Sequence, residues 1–254
     1  MNIGTSAYRL CAALLCCLPL LSCNENATGN GRLSGTLYVE VNLVDQDGNL
    51  LTDRGDVKVS IDGSDRTAIT SPSGLCRFED LPAGTYDFTL TKPLFSNMKV
   101  YGFQFVGGGT AYLRDLYLTG LPDYAFNEFN ATIDTASSLG ADFVRITGTA
   151  STPAPATANR HIRVYMDTSA ALTSRQSGHI GADVVTLQAG DQTFNGTVAL
   201  SGLRSAGVRK GQVVYVLAYP MAYRAVGYYE PAAQEWHETN LGYFHSPVVS
   251  FTMP

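Results

Sequence analysis

The sequence predicts an all-β protein: two antiparallel β-sandwiches in tandem. Three observations lead there. Apolar residues alternate with polar ones at a period of two in several short runs. Turn-forming clusters separate those runs at the spacing of sandwich strands. No stretch of ten residues carries the three-and-four apolar spacing of an amphipathic helix. Over residues 36–44, Leu37, Val39, Val41 and Leu43 share one face while Tyr38, Glu40 and Asn42 share the other. The same alternation recurs at residues 57–61, 86–90, 144–147 and 162–166, so each reads as a half-buried strand. Asp47-Gly48-Asn49, Asp62-Gly63, Pro72-Ser73-Gly74, Pro82-Ala83-Gly84, Gly107-Gly108-Gly109 and Ala189-Gly190-Asp191 supply the turns, with the triple glycine expected to close a hairpin. Residues 151–158, with Pro153 and Pro155, read as an extended loop between strands.

Composition narrows the function classes. Charged residues are 15% and hydrophobic ones 45% of the 254, which excludes both a disordered polyelectrolyte and a multi-span membrane protein. Lys and Arg number 17 against 22 Asp and Glu, a net charge of −5, so no basic patch for nucleic acid is expected.

Cysteine placement points to the compartment. Of the five cysteines, Cys11, Cys16, Cys17 and Cys23 fall at the N-terminus and only Cys76 lies beyond. Arg9 precedes an apolar run over residues 10–21 that is too short to span a bilayer and reads as the core of a signal peptide. The run ends in Leu20-Leu21-Ser22-Cys23, which resembles the lipobox of bacterial lipoproteins. The resemblance implies removal of residues 1–22, acylation of Cys23, and membrane attachment through its acyl chains. Residues 23–34 then form the lipidated cysteine and a flexible, polar tether. Asn24 after the cysteine implies the outer membrane, with the membrane face left open. Cys76, alternating with Phe78, reads as a small buried hydrophobe, and no intramolecular disulfide can form after processing.

Residues 35–120 resemble the carboxypeptidase regulatory-like domain, a transthyretin-like seven-stranded sandwich close to the B-type repeats of surface adhesins. Thr70, Gly74, Phe78, Leu81, Gly84 and Tyr86 carry the resemblance: Pro72 and Pro82 preset tight turns that Gly74 and Gly84 would close, and Phe78, Tyr86 and Phe88 supply inward rings. The family implies a non-catalytic spacer or surface module. Some adhesin relatives carry an internal Lys–Asn crosslink with the lysine in the first strand; this first strand has no lysine, so none is expected. Residues 121–254 resemble a fibronectin type III or immunoglobulin-like sandwich, on the run from Gly211 through Tyr215 to Tyr219 and on Gly242-Tyr243 leading to Ser250-Phe251-Thr252. In that frame Tyr215 is either a hydrogen-bonding corner tyrosine or a plain core tyrosine.

Chemistry for catalysis is sparse. Asp167-Thr168-Ser169 and Asp134-Thr135-Ala136 approximate the loops of aspartic proteases but lack the glycine, and Asp167 instead ends the alternating strand over residues 162–166. His161, His179, His237 and His245 show no zinc-type spacing. His237 with Glu235 and Glu238 offers at most a single-loop cation site, and a solvated charged turn is the simpler reading. No catalytic residue, metal site or cofactor is assigned.

One segment is compositionally unusual. Residues 221–245 hold Tyr223, Tyr228, Tyr229, Trp236, Tyr243 and Phe244, six aromatics in 25 positions of a chain that is 10% aromatic overall, and Trp236 is the only tryptophan. Rings beside Glu and His suit recognition of sugars or a partner protein; equally, rings fill sandwich cores. Tyr223, Tyr228, Tyr229, Trp236, His237 and Tyr243 are the candidate ligand-binding residues. The expected function is a lipid-anchored envelope protein acting as a non-catalytic binding or structural module, a glycan-binding accessory of an outer-membrane uptake system. The alternatives are a fimbrial or adhesin-type subunit and an accessory of an unrecognised enzyme system.

Overall fold

In a computed structural model, residues 33–134, 143–173, 179–224 and 226–254 are described. Cys23, its leader and residues 24–32 lie outside them; the last two residues expected in the tether belong to the sandwich, since Ser34 opens the first strand and the Leu33 carbonyl accepts from the Ala83 amide at 2.6 Å. The first sandwich pairs a three-stranded sheet with a four-stranded one. Strand β1 (Ser34–Val44) lies between β4 (Leu75–Pro82) and β7 (Thr110–Thr119). The facing sheet runs β3 (Thr67–Ile69), β2 (Lys58–Ile61), β5 (Gly84–Thr91), β6 (Met98–Phe105). The alternation of β1 sends Leu37, Val39, Val41 and Leu43 inward, all but fully buried, against Val59, Phe78, Phe88 and Leu90. Cys76 joins this core, and burial pushes its thiol up to about 11, so it behaves as an inert apolar side chain.

One ladder departs from the antiparallel rule. β1 and β7 run parallel, from Thr36↔Thr110 to Val44↔Thr119, because five intervening strands supply the long crossover that parallel pairing requires. The chain therefore enters this sandwich at one end of the strands and leaves at the other. Gly107-Gly108-Gly109 is a corrected expectation: it is no hairpin, since β6 and β7 belong to different sheets. Gly107 and Gly108 take positive φ so that the chain can change sheets while passing against Leu33, whose carbonyl oxygen a side chain at Gly107 would meet at 2.5 Å. Gly84 is a second correction. It opens β5 without positive φ, and the corner is held by the Tyr86 hydroxyl, which donates to the Pro82 carbonyl at 2.6 Å. Gly74 does have the left-handed conformation expected of it.

The second sandwich is wholly antiparallel. β8 (Phe126–Asp134), β9 (Phe143–Ala150) and β12 (Thr193–Ala199) form one sheet; β11 (Gly181–Leu187), β10 (Arg160–Asp167), β13 (Val213–Met221) and β16 (Val249–Thr252) form the other. Between them lie Phe129, Ile146, Phe194, Ile162, Val164, Val214 and Val216. A helix of six residues, α1 (Leu200–Ser205), precedes β13 and buries Leu200 and Leu203. Inward and outward residues of β13 are both buried, because its outer face, with Leu217 and Tyr219, is roofed by Leu172 and Leu241. Tyr215 belongs to this outer cluster rather than to the main core. The carboxylates of the protease-like motifs end strands in opposite sheets: Asp134 closes β8 beside Arg145, and Asp167 closes β10, accepting from the Ser169 amide.

Candidate functional site

The aromatic segment folds as a hairpin inserted between the last two sandwich strands. β14 (Gly227–Glu230) pairs with β15 (Glu235–Glu238), placing Tyr228 opposite His237 and Tyr229 opposite Trp236. Residues 231–234 make the turn, with Gln234 at φ 53°. Strand alternation then gives the hairpin two faces. One carries Tyr229, Trp236 and Glu238. The other carries Tyr228, Glu230, Glu235 and His237.

The second face turns toward the first sandwich. Tyr228 stacks on His237 with ring centroids 5.0 Å apart and meets Tyr101 of β6 at 6.3 Å. His237 Nε2 lies 2.8 Å from Glu230 Oε2. Tyr223 also serves the junction: its amide donates to the Gln46 carbonyl at 2.9 Å, and its ring covers Gly48 and faces His161 at 5.5 Å. Nearby, the Gln46 amide donates to Asp123 while the Asp123 amide donates back to the Gln46 side chain. Burial raises the Asp47 carboxyl against the opposing pull of Arg160, whose Nε is 3.8 Å away.

The first face is anchored by charge. Arg163 of β10 holds the Glu238 carboxylate in a two-pronged contact, its Nε 3.0 Å from Oε2, and the Tyr165 hydroxyl donates to the same oxygen at 2.6 Å. Because Glu238 is taken by Arg163, and His237 lies on the opposite face beside Glu230, the three residues of the single-loop cation reading do not converge. Among the described residues no group of three or more His, Cys, Asp or Glu side chains is placed to hold a metal ion.

Trp236 is 59% exposed, with its indole over Gly227. It forms one wall of a groove of about 470 Å³ whose other lining includes Tyr219, Glu235, His237, Tyr243 and His245. Tyr243, 68% exposed, stands across from the hairpin on the segment that returns to β16. Two buried polar residues fix that segment, and sequence reasoning missed both. Asn240 donates to the carbonyls of Ala222 and Arg224, and Ser246 accepts from the Ala218 amide at 2.9 Å while its own amide donates to the Ala218 carbonyl. Neither stands out in the sequence, because Asn240 follows the polar run His237-Glu238-Thr239 and Ser246 follows His245. Of the six candidate residues, Trp236, His237, Tyr243 and Tyr228 line the groove, Tyr229 backs Trp236 as its cross-strand partner, and Tyr223 lies outside it at the junction.

Exposed rings beside carboxylates and imidazoles can do one thing well. They bury the apolar C–H face of a flat ligand while the polar groups engage its rim.

No family model matches the chain, and no curated protein matches it. Solved structures do. A chain of a type II cohesin–X-dockerin complex from Acetivibrio cellulolyticus is 18% identical with a TM-score of 0.30; the match covers 34% of this chain and 58% of that one, so this chain spans little more than half of it. A DUF3823 family protein from Parabacteroides merdae is 10% identical over 86% of this chain and 100% of that one, with a TM-score of 0.33. A Bacteroides uniformis protein named, provisionally, for carbohydrate binding is 14% identical over 87% and 100%, with a TM-score of 0.28. At such scores the fold and the site rest on the geometry of this chain alone.

Proposed function

We propose that the chain is a lipid-anchored, non-catalytic protein of the outer membrane whose second sandwich carries a glycan-binding groove at Trp236. The observation that carries this reading is the groove itself: two mostly exposed rings, Trp236 and Tyr243, flank a space of about 470 Å³ that Glu235, His237 and His245 also line. That volume falls within the usual range for small-ligand sites, about 300–1,000 Å³. Holding two large aromatics in water is costly unless a partner covers them.

The first sandwich acts as a spacer of the carboxypeptidase regulatory-like kind. Its seven strands in sheets of three and four support that family reading, as do the left-handed Gly74 and the hydrogen-bonded Tyr86. The parallel β1–β7 ladder supports the spacer role, since it separates the points where the chain enters and leaves by on the order of 30 Å. In the second sandwich, the first, second and fifth strands share one sheet and the third, fourth, sixth and seventh share the other, which supports the fibronectin type III resemblance.

Two experiments test the reading. Cys23 should take up labelled fatty acid in cells, and Cys23→Ser should release the protein from the membrane fraction; an unlabelled wild type ends the anchor proposal. On a glycan array, the mature chain should bind at least one saccharide and Trp236→Ala should lose about tenfold or more in affinity, the size expected for removing a stacking anchor. A variant that keeps its fold and every affinity removes Trp236 from the site.

A further inference from the structure

We infer that the groove continues past Tyr243 into the cleft between the two sandwiches, so that a single linear, uncharged glycan chain occupies both. This deepens the glycan reading above and rests on it. A second cavity, also of about 470 Å³, opens where Lys92, Phe95 and Asn97 of the β5–β6 connection face Glu238, Thr239 and Tyr243. The last three residues line the Trp236 groove as well. Tyr243 is thus a wall common to two spaces, and its ring is the more exposed of the two that flank the groove. With Glu238, Thr239 and Tyr243 bordering both, the two spaces adjoin, and two spaces of this size suit a chain of several sugar units better than one ring.

The lining also selects the class of sugar. Glu235 puts a carboxylate on the groove; Glu238 borders both spaces, with its charge met by Arg163. Among the described residues the neighbouring cations are engaged: Arg163 is held by Glu238, the Lys92 Nζ donates to the Gly55 carbonyl at 2.7 Å with Asp56 at 3.9 Å, and the Lys99 Nζ donates to Asp62 at 3.3 Å. A uronate or sulfate would bring an anion to the Glu235 carboxylate with no unspent Lys or Arg among the groove's described neighbours to meet it. An uncharged hydroxylated chain meets no such penalty. Thr91, Asn97 and Thr239 present hydroxyl and amide groups suited to its rim, while Phe95 and Tyr243 present rings.

Trp236, the sole tryptophan, reports on the groove through its own fluorescence. The whole mature chain is titrated with uncharged oligosaccharides of glucose, xylose and mannose, from one to six units, and with oligogalacturonates of matching length. The expected result is that affinity in one uncharged series climbs by about tenfold or more between two and five units, a gain of the size that a second linked contact brings. Asn97→Arg, at an exposed position, should fill the cleft and reduce the longer chains to the affinity of the shorter ones. Tyr243→Ala should weaken every length. Affinity that does not rise with length, a length dependence that survives Asn97→Arg, or tighter binding of galacturonates would each overturn the inference while leaving a glycan site at Trp236. If no saccharide of any length perturbs Trp236, the glycan reading itself falls, and the inference with it.

Discussion

A methyl group added at Gly227 would meet the His237 carbonyl oxygen at 2.5 Å and the Trp236 Nε1 at 2.8 Å. Both contacts are closer than a side-chain carbon tolerates, and neither partner is a flexible tip. Gly227 is therefore what lets the indole lie down on its own hairpin. Gly227→Ala should cost about 1–3 kcal/mol, the range for forcing extra volume into a packed site, and should shift the Trp236 emission in the absence of ligand. Denaturant melts and an emission spectrum check both; an unchanged spectrum would mean that the indole does not rest there. The sequence shows Trp236 as the sole tryptophan in an aromatic run, and that much of the site is legible. That Tyr223 and Tyr228 are spent on the junction is not, because Gly48, Gln46 and Tyr101, which hold them, lie far away in the chain.

Strands are where sequence reading succeeds. Local alternation decides which side of β1, β5, β9 and β10 is buried, since a slip of one residue would expose a whole apolar row. The β14–β15 hairpin is harder to foresee, because its faces are set by what each meets. Its tie to the sheet below is the contact of Arg163 with Glu238, 75 residues apart in sequence. Both side chains are about three-quarters buried. Arg163→Met should therefore cost about 1–2 kcal/mol, somewhat below the full value of a charged hydrogen bond because water still reaches the pair. The double variant Arg163→Met/Glu238→Leu should regain part of that loss, since no charge is left alone. Urea melts of the three proteins decide it; a double variant no better than the single one would place the anchoring elsewhere.

At the scale of the whole molecule, half-buried titratable groups couple stability to pH. Burial holds the imidazoles of His161 and His179 below their ordinary value. The unfolded chain therefore takes up these protons before the folded one does, so stability should fall as pH drops through about 6.5. Asp47 acts in the opposite sense, since burial raises its carboxyl and acidification favours the fold, in a lower window set by its ordinary value of 3.8. Melts at about pH 7.5 and 5.5 should show the loss, and His161→Gln should reduce the difference; an undiminished difference would assign it to other groups. The two-sandwich arrangement was readable from turn spacing and alternation. The parallel β1–β7 ladder was not, because pairing direction is settled by the return of a strand some seventy positions later, which no local pattern encodes.

The most direct measurement follows the single indole N–H resonance of Trp236 as an uncharged oligosaccharide is added to the isotope-labelled mature chain. This one peak should move in step with saturation, together with backbone peaks of residues 235–245. A saccharide that binds with that peak unmoved would contradict the site.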